Sequence, residues 1–285
     1  MVKKLFLTVI LFIFISSNLF AQKSKTSDLY SDLQWSNNKP SIEVSYGLSD
    51  INLNGDNFNL ANAGLIELKL GFTSQRKSKY GNNILNYHNR YLFLSNASSD
   101  NSAKSNNSGV QNNMWRFGLG NKQGYGIKMG SFSIMPYNSN SFAWTQFQYT
   151  NPDAVSDPQN IYAPLNDFND AFRFGSTAEA GINFQLNPGL SIQPKYEIAD
   201  IYPRHLFGKQ FMSSIIEIGG MYAIDGFTKR ILRNTPVAGT IVNFILKNAY
   251  EYGFYQLCKN QMNWPFASAA PLRYETFKLG MTFTF

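Results

Sequence analysis

The sequence predicts an all-β fold, with antiparallel strands closing into a barrel of about eight to ten staves and one helical segment before the last. Three observations carry it. Many strand-length stretches alternate apolar and polar residues with a period of two, which puts the two sets on opposite faces. Short turns and long polar connections both separate these stretches. The last stretch alternates up to the chain end: Phe277, Leu279, Met281, Phe283 and Phe285 share one face, and Thr276, Lys278, Gly280, Thr282 and Thr284 the other.

The bulk composition fits this. The 285 residues suffice for one large all-β domain or two small ones. Aromatic residues make up 15% and charged residues 15%, against a soluble norm of about 25% charged. The formal charge is +7, yet no Lys/Arg run has the density of a nucleic-acid footprint, and no nucleic-acid partner is expected. The single cysteine, Cys258, excludes an internal disulfide framework.

Lys3 and Lys4 precede an apolar core, Leu5 to Ile15, and a small residue at Ala21. That order predicts a signal peptide over residues 1–21, cut after Ala21. The core is short of the roughly 20 residues that a spanning helix needs. Residues 22–40 are then a flexible lead-in, and residues 41–285 the barrel domain.

In the first predicted strand, Ile42, Val44, Tyr46 and Leu48 oppose Ser41, Glu43, Ser45 and Gly47. After an Asn/Asp-rich loop, Ile66, Leu68, Leu70 and Phe72 oppose Leu65, Glu67, Lys69 and Gly71. Residues 73–86 read as a basic connection and residues 88–96 as a shorter strand. Residues 95–113 are almost wholly Ser, Asn, Asp, Ala and Gly, a composition that cannot build a core and suits a solvated loop. Trp115, Phe117 and Leu119 alternate next; Asn121 to Gly124 reads as a tight turn, and a strand over 125–134 follows. Four prolines and many Asn and Asp residues make 135–171 a long loop, with a short strand conceivable at 142–149. Residues 173–186 and 190–200 form a hairpin about Asn187-Pro188-Gly189. Ile216, Ile218, Gly220, Tyr222 and Ile224 place a further strand over 211–224.

Ile241, Val242, Ile245, Leu246 and Ala249 recur instead at helical spacing, which predicts a helix from about Ala238 to Leu257. Its apolar stripe needs a partner: the barrel lumen, the barrel rim or the membrane surface. Lys229, Arg230 and Arg233 precede it, either as a contact for acidic headgroups or as a solvated basic turn. The strands number nine on this reading, whereas single-chain barrels have an even count. A tenth strand at 142–149 is the favoured repair.

A soluble sandwich also alternates. The polar parity here, however, is rich in Gly, Ser and Thr and carries Glu43, Glu67, Lys69, Arg116, Lys128, Glu179, Lys195, Glu197, Glu217 and Lys278, a mixed-sign set suited to the lumen of a narrow barrel. Aromatics such as Tyr46, Phe72, Trp115, Tyr125 and Tyr222 recur near predicted strand ends, as interfacial girdles do. The closing strand with its terminal aromatic resembles those of bacterial outer-membrane β-barrels, in architecture rather than in any one family. The resemblance spans residues 41–285. It implies an antiparallel transmembrane β-barrel in the outer membrane, contact with outer-membrane lipid, and Phe285 as a signal read by barrel-assembly machinery. In lipid an open edge would strand its backbone donors and acceptors, so the last strand should pair with the one starting near Ser41.

Catalytic motifs are absent from the sequence: no H-E-x-x-H, G-x-S-x-G, phosphate-binding loop or dinucleotide fingerprint occurs. His88 and His205 lack partners at metal-ligand spacing, and no cofactor or metal is expected. His205, near Asp200, Tyr202 and Arg204, is the weak catalytic candidate. The expected function is non-enzymatic: structural, a receptor for a surface ligand, or a narrow porin-like passage for a small solute. The alternatives are a membrane-embedded lipid-modifying enzyme and a secreted soluble β-rich binding protein.

Overall fold

Alternation of side chains across a pleated strand lets one sheet separate two environments, and here the sheet closes on itself. The computed structural model describes residues 38–53, 60–102, 109–150 and 162–285. Eight antiparallel strands form the closed barrel: β1 (Lys39–Leu53), β2 (Ala63–Lys77), β3 (Ile84–Ser98), β4 (Asn112–Met129), β5 (Phe132–Tyr149), β6 (Phe172–Asn187), β7 (Leu190–Ile201) and β8 (Leu272–Thr284). Each pairs with its sequence neighbours. β8 closes the ring on β1, in register from Ser41 opposite Thr284 to Leu53 opposite Leu272. The predicted signal peptide and most of the lead-in lie outside the described residues.

The strand count is eight, and three differences from the expected nine or ten have physical causes. Residues 113–120 and 125–134 are not separate strands. β4 runs straight through Asn121-Lys122-Gln123-Gly124, and the turn falls at Gly130 and Ser131, where Gly130 takes a φ of +67° that favours glycine. The strand expected at 142–149 exists and is longer, because β5 fills 132–149 and takes residues 135–149 from the expected loop. Residues 211–224 are not a strand; they lie within the helix α1 (Phe207–Asn234). The expected connection at 73–86 also shrinks to residues 78–83 between β2 and β3.

The second helix, α2 (Pro236–Cys258), matches the expected helical segment and starts on a proline, whose missing N–H costs nothing in a first turn. Thr235 alone separates the helices, which form an antiparallel hairpin. The Tyr250 hydroxyl donates to the Ile216 carbonyl at 3.1 Å, and the Asn243 amide donates to the Thr228 hydroxyl at 3.0 Å.

The two barrel ends differ. The three short connections (residues 78–83, 130–131 and 188–189) lie at one end, with the start of β1 and the end of β8. The longer connections, including the one that contains the helices, leave from the other end.

Candidate functional site

The barrel interior is built from one parity of every strand. Its middle layer is ionic. Glu43 on β1, Glu67 and Lys69 on β2, Arg116 and Lys122 on β4, Glu179 on β6, Lys195 and Glu197 on β7 and Lys278 on β8 are all buried. Arg116 and Lys278 are 0% exposed. Lys278 donates to Glu67 at 3.1 Å and to Glu197 at 2.7 Å, and lies 2.8 Å from Glu179. Lys69 donates to Glu179 at 3.0 Å and Arg116 to Glu197 at 2.9 Å. Lys195 and Lys122 both donate to Glu43, and the Thr282 hydroxyl donates to the same carboxylate at 3.1 Å. Four carboxylates thus face five cations. Aromatic rings take up part of the excess positive charge: Lys69 lies 4.5 Å from the Tyr91 ring, Lys122 4.9 Å from Tyr137 and Arg116 4.9 Å from Tyr274.

Above this layer, toward the long-loop end, the interior turns apolar. Ile51, Leu53, Leu65, Met114, Phe147 and Leu272 pack there, capped by Leu165 and Phe168 from the connection between β5 and β6. Below it, the Asn89 amide donates to the hydroxyls of Ser41 and Thr73, and Tyr87 packs on Tyr137. Three stacked layers of the strands' own side chains therefore fill the lumen, as expected for eight strands. This also excludes the helix from the lumen, one of its expected partners.

Two of the polar-parity charges lie elsewhere. Glu217 belongs to α1, because the stretch expected as strand is helical. Lys128 keeps the inward parity but sits on the last turn of ladder before Gly130, where it is exposed at the rim. Lys122 was missing from the sequence set. Asn-Lys-Gln-Gly resembles a turn, and only the unbroken parity from Met114 through Arg116 and Gly118 to Lys122 reveals its inward direction.

The helical hairpin packs on the outside of the wall. Every wall residue that α2 meets has the outward parity. The Asn138 amide of β5 donates to Glu251 at 3.3 Å, the Tyr255 hydroxyl donates to Ser176 of β6 at 3.0 Å, and Arg273 of β8 donates to the Tyr255 carbonyl at 2.6 Å. Tyr255 also buries Ala178 and Ile198. At the opposite end, a Cβ built on Gly81, in the turn between β2 and β3, would lie 3.7 Å from the Pro236 ring. The hairpin therefore runs the height of the barrel, from the long-loop end to the short-turn end and back.

Its amphipathicity is inverted. Thr240, Asn243, Lys247 and Glu251 are buried, and Lys247 meets Asp225 of α1 at 2.7 Å. Ile241, Ile245 and Ala249, the core of the predicted apolar stripe, are exposed instead. The spacing of 240, 243, 247 and 251 was a legible helical signal in polar rather than apolar residues.

The residues of the His205 cluster turn to separate partners. Asp200 is held by a two-point contact from Arg273, at 2.7 and 2.8 Å. His205 stacks on Phe207 and packs against Phe174. Burial and the neighbouring Arg173 hold its imidazole below the ordinary value. Tyr202 turns to Ser176, 2.7 Å away. Among the described residues no cluster of His, Cys, Asp and Glu could hold a metal ion.

No family model matches the chain, and no curated protein does. Among solved structures it is similar to Neisserial surface protein A, with 9% identity over 87% of this chain and 97% of that one and a TM-score of 0.36. It is also similar to Ail, the attachment invasion locus protein of Yersinia pestis, with 9% identity over 87% of this chain and 99% of that one and a TM-score of 0.34. Ail in complex with the heparin analogue sucrose octasulfate gives 10% identity, the same coverages and a TM-score of 0.33. At such low scores the functional reading rests on the barrel's own surfaces.

Proposed function

We propose that this chain is a sealed, non-conducting outer-membrane β-barrel that acts as a structural scaffold or surface receptor, with the long-loop end as its binding face. The observation that carries this is the contrast between the two sides of one sheet. Inside, ionised groups are buried and paired from wall to wall. Outside, Leu68, Leu92, Leu94, Leu279 and Phe277 stand exposed, Leu92 at 64% and Phe277 at 63%. A belt of that size would drive aggregation in water, and it suits acyl chains. The filled lumen speaks against a solute passage, even a narrow one.

Export through a signal peptide cut after Ala21, and recognition of Phe285 by barrel-assembly machinery, belong to the same reading. Phe285 supports it by its geometry: its N–H donates to the Pro40 carbonyl at 3.0 Å while its ring is exposed. The short-turn end then faces the periplasm, as is usual for such barrels. A surface ligand would meet the long-loop connections.

Planar-bilayer recording on the folded protein tests the sealed state. A silent trace is expected at protein amounts confirmed by a heat-dependent gel shift. Stable unitary conductance steps would overturn it.

A further inference from the structure

We propose that the α1–α2 hairpin is a second membrane-embedded element, lying in the bilayer alongside the barrel with its outer face on acyl chains. This rests on the membrane reading above and extends it to a surface that strands do not form.

The wall beneath the hairpin is the first line of argument. On β1, β2 and β8 the outward residues within 42–48, 66–72 and 277–283 are apolar, but β4 and β5 carry Asn121, Gln123, Asn138 and Asn140 on the same face. In the register Asn121 lies opposite Asn140, and Gln123 opposite Asn138. Bare in a bilayer, such amides would be costly. The hairpin meets this region with its polar side, through Glu251 on Asn138: Asn138 is buried and Gln123 half-buried, Asn121 and Asn140 stay exposed, and Glu251 is left 2% exposed.

The opposite side of the hairpin is apolar and unpartnered. Phe211, Ile215, Ile218, Ile241, Ile245 and Tyr252 are exposed. From Phe211 to Leu257 the exposed charges are confined to Lys229, Arg230 and Arg233, next to Pro236 at the short-turn end. Glu217 and Asp225 are half-buried, and Lys247 and Glu251 are buried.

Length agrees. α1 has 28 residues and α2 has 23, hence about 42 and 35 Å at the helical rise, against a hydrocarbon core of roughly 30 Å. No helix among the described residues is long and apolar enough to cross a membrane alone. The barrel wall resolves that: it pairs with the polar side, so only the apolar side meets lipid. The occupant is thus a phospholipid bilayer, with the three basic residues placed for the phosphates of the leaflet at the short-turn end.

Lipid-phase and aqueous quenching of a site-specific label tests the placement. In a Cys258→Ser background, Ile245→Cys and Ile218→Cys report on the hairpin, Leu68→Cys on the barrel wall and Asp100→Cys on a long connection. Each is labelled with a bimane, checked for the heat-dependent gel shift of a folded barrel, and reconstituted in phosphatidylcholine/phosphatidylglycerol vesicles. Brominated-chain lipid should quench the labels at 245, 218 and 68 and spare the one at 100, and iodide should do the reverse. If iodide quenches the labels at 245 and 218 while lipid quenches the one at 68, the hairpin lies outside the bilayer and the barrel reading survives. If iodide also quenches the label at 68, the membrane reading falls with it.

Discussion

Lys278 and Glu67 lie 211 residues apart in the chain and 3.1 Å apart in space, joined inside the barrel with their side chains shut off from solvent. Glu67 also meets Lys69 and Lys195 at 3.4 Å and Arg116 at 3.8 Å. Four of the five interior cations lie within 4.0 Å of it, as four do of Glu179. Removing one partner of a buried pair strands the other and costs about 3–5 kcal/mol. Glu67→Gln should therefore lower the unfolding free energy of the folded barrel by that order. Lys122→Met should cost less than half as much, because it removes the surplus cation and leaves four carboxylates with four. Urea unfolding in lipid vesicles measures both. Equal losses would mean that the excess positive charge is not felt.

Two inward glycines make room for the tyrosines that line the ionic layer. A Cβ on Gly181 would stand 2.4 Å from the Tyr137 hydroxyl, which donates to Glu179 at 3.1 Å; one on Gly120 would stand 2.5 Å from that of Tyr91. Gly181→Ala should destabilise the barrel by roughly 1–3 kcal/mol, as overpacking does. Pairing it with Tyr137→Phe should recover part of the loss, since the clash is with the hydroxyl end of the ring. The midpoint of the heat-dependent gel shift reads both variants.

Cys258, at the end of α2, is free and 6% exposed. Folded protein should resist a water-soluble disulfide reagent, and protein unfolded in guanidinium should release one equivalent of the reporter thiolate at once. Rapid reaction in the folded state would mean that the end of α2 opens readily from Ala178 and Ile198.

The basic tip of the hairpin should make stability depend on lipid charge. The thermal midpoint is expected to be higher in vesicles with phosphatidylglycerol than in phosphatidylcholine alone, and added salt should erase the difference. Lys229→Glu, Arg230→Glu and Arg233→Glu together should abolish it at low salt. A difference that persists in the triple variant would assign it to other charges at that end.

The strands that show plainly in the sequence are those with apolar side chains outside and ions inside. β1, β2 and β8 alternate without a break because Ile42, Leu68 and Leu279 face outward while Glu43, Glu67 and Lys278 face inward. β5 was obscured because its outward parity carries Asn138, which the hairpin buries, and the exposed Asn140, so both of its faces are polar and the run from Asn138 to Ser141 looks like loop. The first half of the hairpin was misread for a related reason. α1 offers apolar residues almost all round, which removes the helical period, and the chance alternation of Ile216, Ile218, Gly220, Tyr222 and Ile224 then imitates a strand. The inward direction of Lys122 was hidden by neighbours that favour turns. Apart from Glu67 with Lys69 on β2, the interior ion pairs join residues of different strands, so parity alone gave their direction and only the closed register gave their partners.

The seam between β1 and β8 makes the last strand an arbiter of completeness. Until residues 272–284 emerge, both ends of the sheet are raw, and Glu67, Glu179 and Glu197 have all lost the ammonium group they share. Closure of the ring and the cation that three of its carboxylates share arrive in a single strand, β8. A chain without residues 272–284 lacks the closing edge and that shared ammonium at once, so one missing strand opens the sheet and unsettles its interior together.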